Sequence, residues 1–176
     1  MRAVLIGVVM AVGAAGGAAG GAAGEAAGEA AHAAEVSRVQ TAQSPIATTV
    51  TVPAGYETVY VSGQVPPVAD AAAAPNTPAA YGDTRTQTKG VIDKIEAALK
   101  AQGLGLGDVV RMTVYLVGDP AKGGTMDFAA MNAAFVERFG TAVQPNKPTR
   151  TTVQIAALAN PGFLVEIDAI AVRRAR

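Results

Sequence analysis

Beyond residue 44 the apolar positions follow two different periods, and these divide the chain into elements. Thr48–Val52 alternates Thr and Val, the two-residue period of a strand. Pro53-Ala54-Gly55 is a turn and Thr58–Ser62 the returning strand, so the two are expected to pair as a hairpin. Residues 66–82 carry Pro66, Pro67, Pro75, Pro78 and an Ala run, the composition of a loop. From Thr84 the spacing becomes helical, with Val91, Ile92, Ile95, Ala98 and Leu99 on one face. Thr84-Arg85-Thr86-Gln87 has the form of a capping box, and Gly103 suits the left-handed position past a helix end. A helix is therefore predicted over 84–102.

Val109–Val117 returns to the strand period. Val110, Met112, Val114 and Leu116 share one side; Arg111, Thr113 and Tyr115 share the other. A polar loop covers 118–124. Asp127–Phe139 reads as a second helix, with Phe128, Met131, Phe135 and Phe139 in one stripe and Gly140 closing it. Residues 141–149 form a loop. Thr151–Ala156 and Phe163–Val172 are the last strands, joined through Asn160-Pro161-Gly162 and expected to form a second hairpin.

The order is ββαβαββ, an α+β fold with a mixed sheet and both helices on one face. Arg150, Thr152 and Gln154 share one side of the fourth strand; Leu164, Glu166, Asp168 and Ile170 share one side of the last. Mixed polar and apolar groups on an open sheet face predict an interface between copies, hence a homo-oligomer.

Residues 1–33 differ in kind. A basic start, the apolar run Val4–Val12 and an Ala/Gly tract ending at Ala31-His32-Ala33 read as a signal peptide, with 34–43 as a linker and a periplasmic or secreted domain after it. An uncleaved anchor and a start codon placed too early are the alternatives. Removal of the leader takes away His32, the one histidine, and with it imidazole catalysis. There is no Cys, which excludes disulfides, thiolate nucleophiles and Cys-ligated zinc. The 14 Lys and Arg balance the 14 Asp and Glu, so a nucleic-acid-binding footprint is missing.

Familiar catalytic motifs fail. Gly103-Leu104-Gly105-Leu106-Gly107 follows a helix and precedes a strand, the reverse of a dinucleotide fingerprint. Three polar residues in apolar surroundings remain. Asn132 lies within the Phe stripe, either as a structural amide or as a site residue. Arg150 opens a strand after Pro148, placed either to fork onto a carboxylate or to form an interface ion pair. Glu166 lies between Val165 and Ile167, a site carboxylate or a solvated strand residue.

At these residues the sequence resembles the RidA (YjgF/YER057c/UK114) family of enamine/imine deaminases. The resemblance covers about residues 44–174. It rests on Ser62-Gly63-Gln64-Val65-Pro66, Gly107–Tyr115, Asp127–Asn132, Pro148–Val153 and Val165–Val172, taken in order and spacing. It implies a chorismate-mutase-like fold, a homotrimer and sites in clefts between subunits. The implied reaction is hydrolysis of 2-enamino or 2-imino acids to 2-oxo acids and ammonia, with no metal or organic cofactor. By position, Arg150 would clamp the substrate carboxylate and Glu166 would handle water and the leaving amine. Asn132 would line the cleft, and Ser62, Gly63 and Thr152 would contact substrate or water. Partners are thus a small 2-imino acid and copies of the chain, with no nucleic acid and, after leader removal, no membrane.

Departures from the family pattern mark this chain. Ser44-Pro45-Ile46 replaces Gly-Pro-Tyr, Thr152 stands where Cys is common, and the segments 66–82 and Gly118–Thr125 are longer. A non-catalytic trimer that binds small carboxylates through the same arginine is the alternative function. Ribonuclease activity is disfavoured by the neutral charge.

Overall fold

A computed structural model describes residues 34–176. The leader reading, His32 included, lies outside the described residues. The elements are β1 (Ser37–Val39), β2 (Thr49–Thr51), β3 (Tyr56–Gln64), a one-turn α1 (Pro78–Tyr81), α2 (Thr84–Lys100), β4 (Val109–Val117), α3 (Phe128–Val136), β5 (Thr149–Ile155) and β6 (Val165–Arg174). β1 falls in the stretch read as a linker.

The main sheet has the order β3-β6-β4-β5, with β4 and β5 parallel and β6 antiparallel to both neighbours. It is the mixed sheet of an α+β fold, but neither predicted hairpin forms. β2 pairs with β1 instead of β3. β6 does not return along β5; it enters between β3 and β4. The burial of β6 explains its place. Val165, Ile167, Ala169 and Ala171 are all buried, and an inner position pairs both edges of so apolar a strand. The polar β5 is left at the sheet edge.

One core holds the helices and sheet together. Val91, Ile92, Ile95 and Leu99 from α2 meet Met131 and Phe135 from α3, Phe139 just after it, and the inner row Met112, Val114 and Leu116 of β4. Both helices therefore cover one sheet face. Ala98 is exposed, as is Phe128, so the buried faces are narrower than the periodicity suggests. Leu164 is buried in this core too and does not share the open face with Glu166, because it precedes the regular pleat of β6.

Local chemistry sets the ends. Asp83, not Thr84, caps α2, its side chain accepting from Thr86 N at 2.8 Å. Gly103 (φ +72°) closes the helix as expected: its N–H reaches Lys100 O, and Leu104 N reaches Leu99 O. Gln87 makes no capping box. It is fully buried, donating to Gly82 O (3.0 Å) and Gly162 O (2.9 Å) and accepting from Leu164 N (2.7 Å). One amide thus ties α2 to the start of β6. Gln87→Leu leaves three backbone groups unpaired in the interior. We expect it to cost about 3 kcal/mol in denaturant unfolding, against less than about 0.5 for exposed Gln102→Ala.

Candidate functional site

In a sheet, residues paired across strands point to the same face. Arg150 pairs with Met112, Thr152 with Val114 and Gln154 with Leu116. These β4 residues are core, so Arg150, Thr152 and Gln154 lie on the helix-covered face, not the open one. Glu166 pairs with Tyr115 and Asp168 with Thr113, on the open face. The structure therefore brings Arg150, Asn132 and Thr152 together on one side and Ser62, Gly63 and Glu166 on the other. Within one chain Arg150 and Glu166 do not meet.

Arg150 is half-buried at the sheet edge beneath α3. Its guanidinium stands 4.3 Å from the centre of the Phe135 ring and 5.7 Å from that of Phe128. Nη2 donates to Asn132 Oδ1 at 3.0 Å, so the amide in the Phe stripe faces the arginine. Nη1 is buried with no hydrogen-bond partner among the described residues, and so is the Thr152 hydroxyl. No carboxylate among the described residues pairs with the guanidinium. Burial pushes its pKa down to about 10, still charged at neutral pH. A desolvated cation with an unmet donor is stabilised by any anion that reaches it.

Glu166 is half-buried and has no hydrogen-bond or ion-pair partner among the described residues. A register shift in β3 between Val61 and Gln64 presents Gly63 to it. A Cβ at Gly63 would stand 1.9 Å from Glu166 Oε1. The glycine is thus needed for close approach, and it fixes where the carboxylate lies. Ser62 is exposed beside it. Tyr115 and Asp168 share this face, the phenol donating to Oδ2 at 3.2 Å.

Sequence reading missed Lys147. Only 7% of it is exposed, and Nζ donates to Thr41 O and Ser44 O, each at 2.8 Å. It helps wall a cavity of about 230 Å³ that Asn132 and Ser44 also line. The available signal was a second cation three positions before Arg150, at the threshold of the same strand. Gln154 shares the face of Arg150 and has a structural role. It ties down the loop after β4, accepting from Met126 N (2.8 Å) and donating to Gly124 O (3.0 Å). A depression of about 480 Å³ near Arg38 and Arg173 is lined by Gly103, Leu104 and Gly107 of the glycine-rich turn but by none of the candidate site residues.

A mixed sheet with one uncovered face, an unpaired arginine at its edge and a glycine-seated carboxylate on its open side define a small α+β protein built around charged side chains, without a histidine in the described chain. The Endoribonuclease L-PSP family model matches residues 39–173, and the chain belongs to that family, whose members also carry the names RutC, RidA and YjgF. RutC family protein PH0854 of Pyrococcus horikoshii is 40% identical over 90 residues, 51% of this chain and 63% of that protein. The 2-iminobutanoate/2-iminopropanoate deaminase of Salmonella typhimurium is 34% identical over 116 residues, 66% of this chain and 80% of that protein. Among solved structures, the Rid-family protein YyfB of Yersinia pestis, of unknown function, superposes with a TM-score of 0.51 at 26% identity, covering 72% of this chain and 86% of that one.

Gly63→Ala should displace the Glu166 carboxylate while leaving the fold intact, since the clash is with the end of a flexible side chain. The thermal midpoint should move by no more than about 4 °C. A crystal structure of the variant should show the carboxylate rotated away from β3.

Proposed function

We propose that the protein hydrolyses 2-imino or 2-enamino acids to 2-oxo acids and ammonia in a cleft shared by two copies of the chain, within a homotrimer. The observation that carries this reading is Arg150: a partly desolvated, unpaired guanidinium with a buried free N–H, in a family with members named as imine deaminases. The placement of Arg150 and Glu166 on opposite sheet faces supports the shared cleft. A carboxylate facing one side of a sheet serves an arginine facing the other side only when a neighbour supplies one of them. The open face of the sheet has the composition of such a contact. Tyr60 on β3 is 77% exposed and Val153 on β5 39% exposed, large side chains that a second copy would cover.

In this reading Arg150 grips the substrate carboxylate. Each charge-assisted hydrogen bond contributes about 1.5–3 kcal/mol. The carbon of the protonated imine is already electrophilic, so orientation replaces strong activation. Glu166 takes a proton from the attacking water, whose oxygen bonds to that carbon to form a carbinolamine. Glu166 returns that proton to the nitrogen, the carbon–nitrogen bond breaks to release ammonia, and the hydroxyl gives up its proton to the glutamate as the carbonyl of the oxo acid forms. Asn132 holds Arg150 by presenting its oxygen to a group that has only donors.

Binding without turnover is the second reading. Ile46 favours it, because the side chain in place of the family tyrosine is apolar and packs against the core.

With an imine generated in situ by an amino-acid oxidase, the protein should accelerate release of the oxo acid. Arg150→Ala should lower kcat/KM by at least about 100-fold, as loss of two charge-assisted bonds requires, with oligomer size unchanged. Equal imine decay with wild type and variant overturns the enzymatic reading. Stabilisation of wild type alone by a small 2-oxo acid, without turnover, supports the binding reading.

A further inference from the structure

Arg150 and Lys147 are two cations without carboxylate partners among the described residues, and Asn132 borders the surroundings of both. Asn132 Oδ1 is committed to Arg150, at 3.0 Å from Nη2. Its two Nδ2 donors have no partner among the described residues, and its side chain also lines the cavity that Lys147 helps to wall. Lys147 carries three N–H donors, of which two reach the carbonyls of Thr41 and Ser44. Those carbonyls are dipoles and supply no countercharge. A lysine 93% removed from solvent normally has an anion beside it. No Asp or Glu lines this cavity; its other walls are Val136, Phe139, Gly140 and the 42–45 segment.

We propose that this cavity is a second anion subsite, which receives the side-chain carboxylate of a 2-imino dicarboxylic acid whose 2-carboxylate is held by Arg150. The inference rests on the deaminase reading and narrows it to a substrate class. Size supports it: at about 230 Å³ the cavity is below the roughly 300 Å³ at which whole-ligand pockets begin, so it suits one arm of a substrate. Charge supports it as well, because two unpaired cations are matched by a dianion. Position agrees: Lys147 and Arg150 are three residues apart in the chain, Asn132 accepts from Arg150, and the same Asn132 lines the cavity with Lys147.

The test uses the full chain and imines made in situ from L-glutamate or L-alanine by oxidases of matching specificity. The glutamate-derived imine should be hydrolysed with a kcat/KM at least about tenfold above the alanine-derived one, as one added charge-assisted bond implies. 2-Oxoglutarate should bind at least tenfold more tightly than pyruvate by calorimetry. Lys147→Met should bring both preferences close to parity. If that variant does not fold, a crystal structure of wild type with 2-oxoglutarate decides the matter, the second carboxylate lying within hydrogen-bond distance of Lys147 Nζ or elsewhere. Turnover of both imines at equal efficiency, a preference that survives Lys147→Met, or a second carboxylate pointing away from Lys147 overturns the subsite and leaves the deaminase reading standing. Failure to turn over either imine, with no binding of either oxo acid, overturns both.

Discussion

The pleat of the sheet is the constraint on which the account depends. Side chains along a strand alternate between faces, and the hydrogen-bonded register carries that alternation from strand to strand. Once β4 turns Met112, Val114 and Leu116 inward, β5 must place Arg150, Thr152 and Gln154 on the same side. Once β6 buries Val165, Ile167 and Ala169, it must turn Glu166 and Asp168 outward. No rotamer change brings an arginine and a glutamate together through a packed sheet. Chemistry that uses both would therefore be chemistry between copies, and the uncovered face carries the exposed Tyr60 and Val153 that the proposed interface would bury.

Desolvation is the second organising effect. Arg150 lies against Phe135 with one N–H unmet, and Lys147 is buried with only carbonyl oxygens for company. Neither arrangement maximises the stability of the free chain. In the proposed reading both become favourable when anions arrive, and ligand binding then adds stability that the free chain lacks. Asn132 accepts from Arg150 and lines the same cavity as Lys147, so one amide borders both surroundings.

Much of this was legible in the sequence. The two helices, the inner faces of β4 and β6, and the glycine closing α2 follow from period and turn chemistry. Asn132 and Glu166 stand out as polar residues amid apolar neighbours, and Arg150 as a cation that opens a strand after Pro148. Strand pairing was not legible. Thr49–Thr51 and Ser37–Val39 are three-residue strands whose pairing depends on a segment with no alternation of its own to announce it. β6 was assigned to a hairpin with β5 by proximity along the chain, whereas its burial on one side and the need to pair both edges put it inside. The same error hid the opposed faces of Arg150 and Glu166, since facing depends on which strand lies between them. Lys147 escaped notice because a lysine in a proline-rich loop reads as solvated, and only the three-dimensional path of residues 41–44 buries it.

The most direct test is subunit mixing. Arg150→Ala and Glu166→Gln chains, each inactive as a pure oligomer, are co-refolded, and exchange is verified by mass spectrometry. A site built from two chains regains one intact copy wherever the two variants adjoin in the right order, so activity should return to about a quarter of the wild-type level in random mixed trimers. Mixed oligomers that stay as inactive as their parents would contradict the account, because the arginine and the glutamate would then have to come from a single chain.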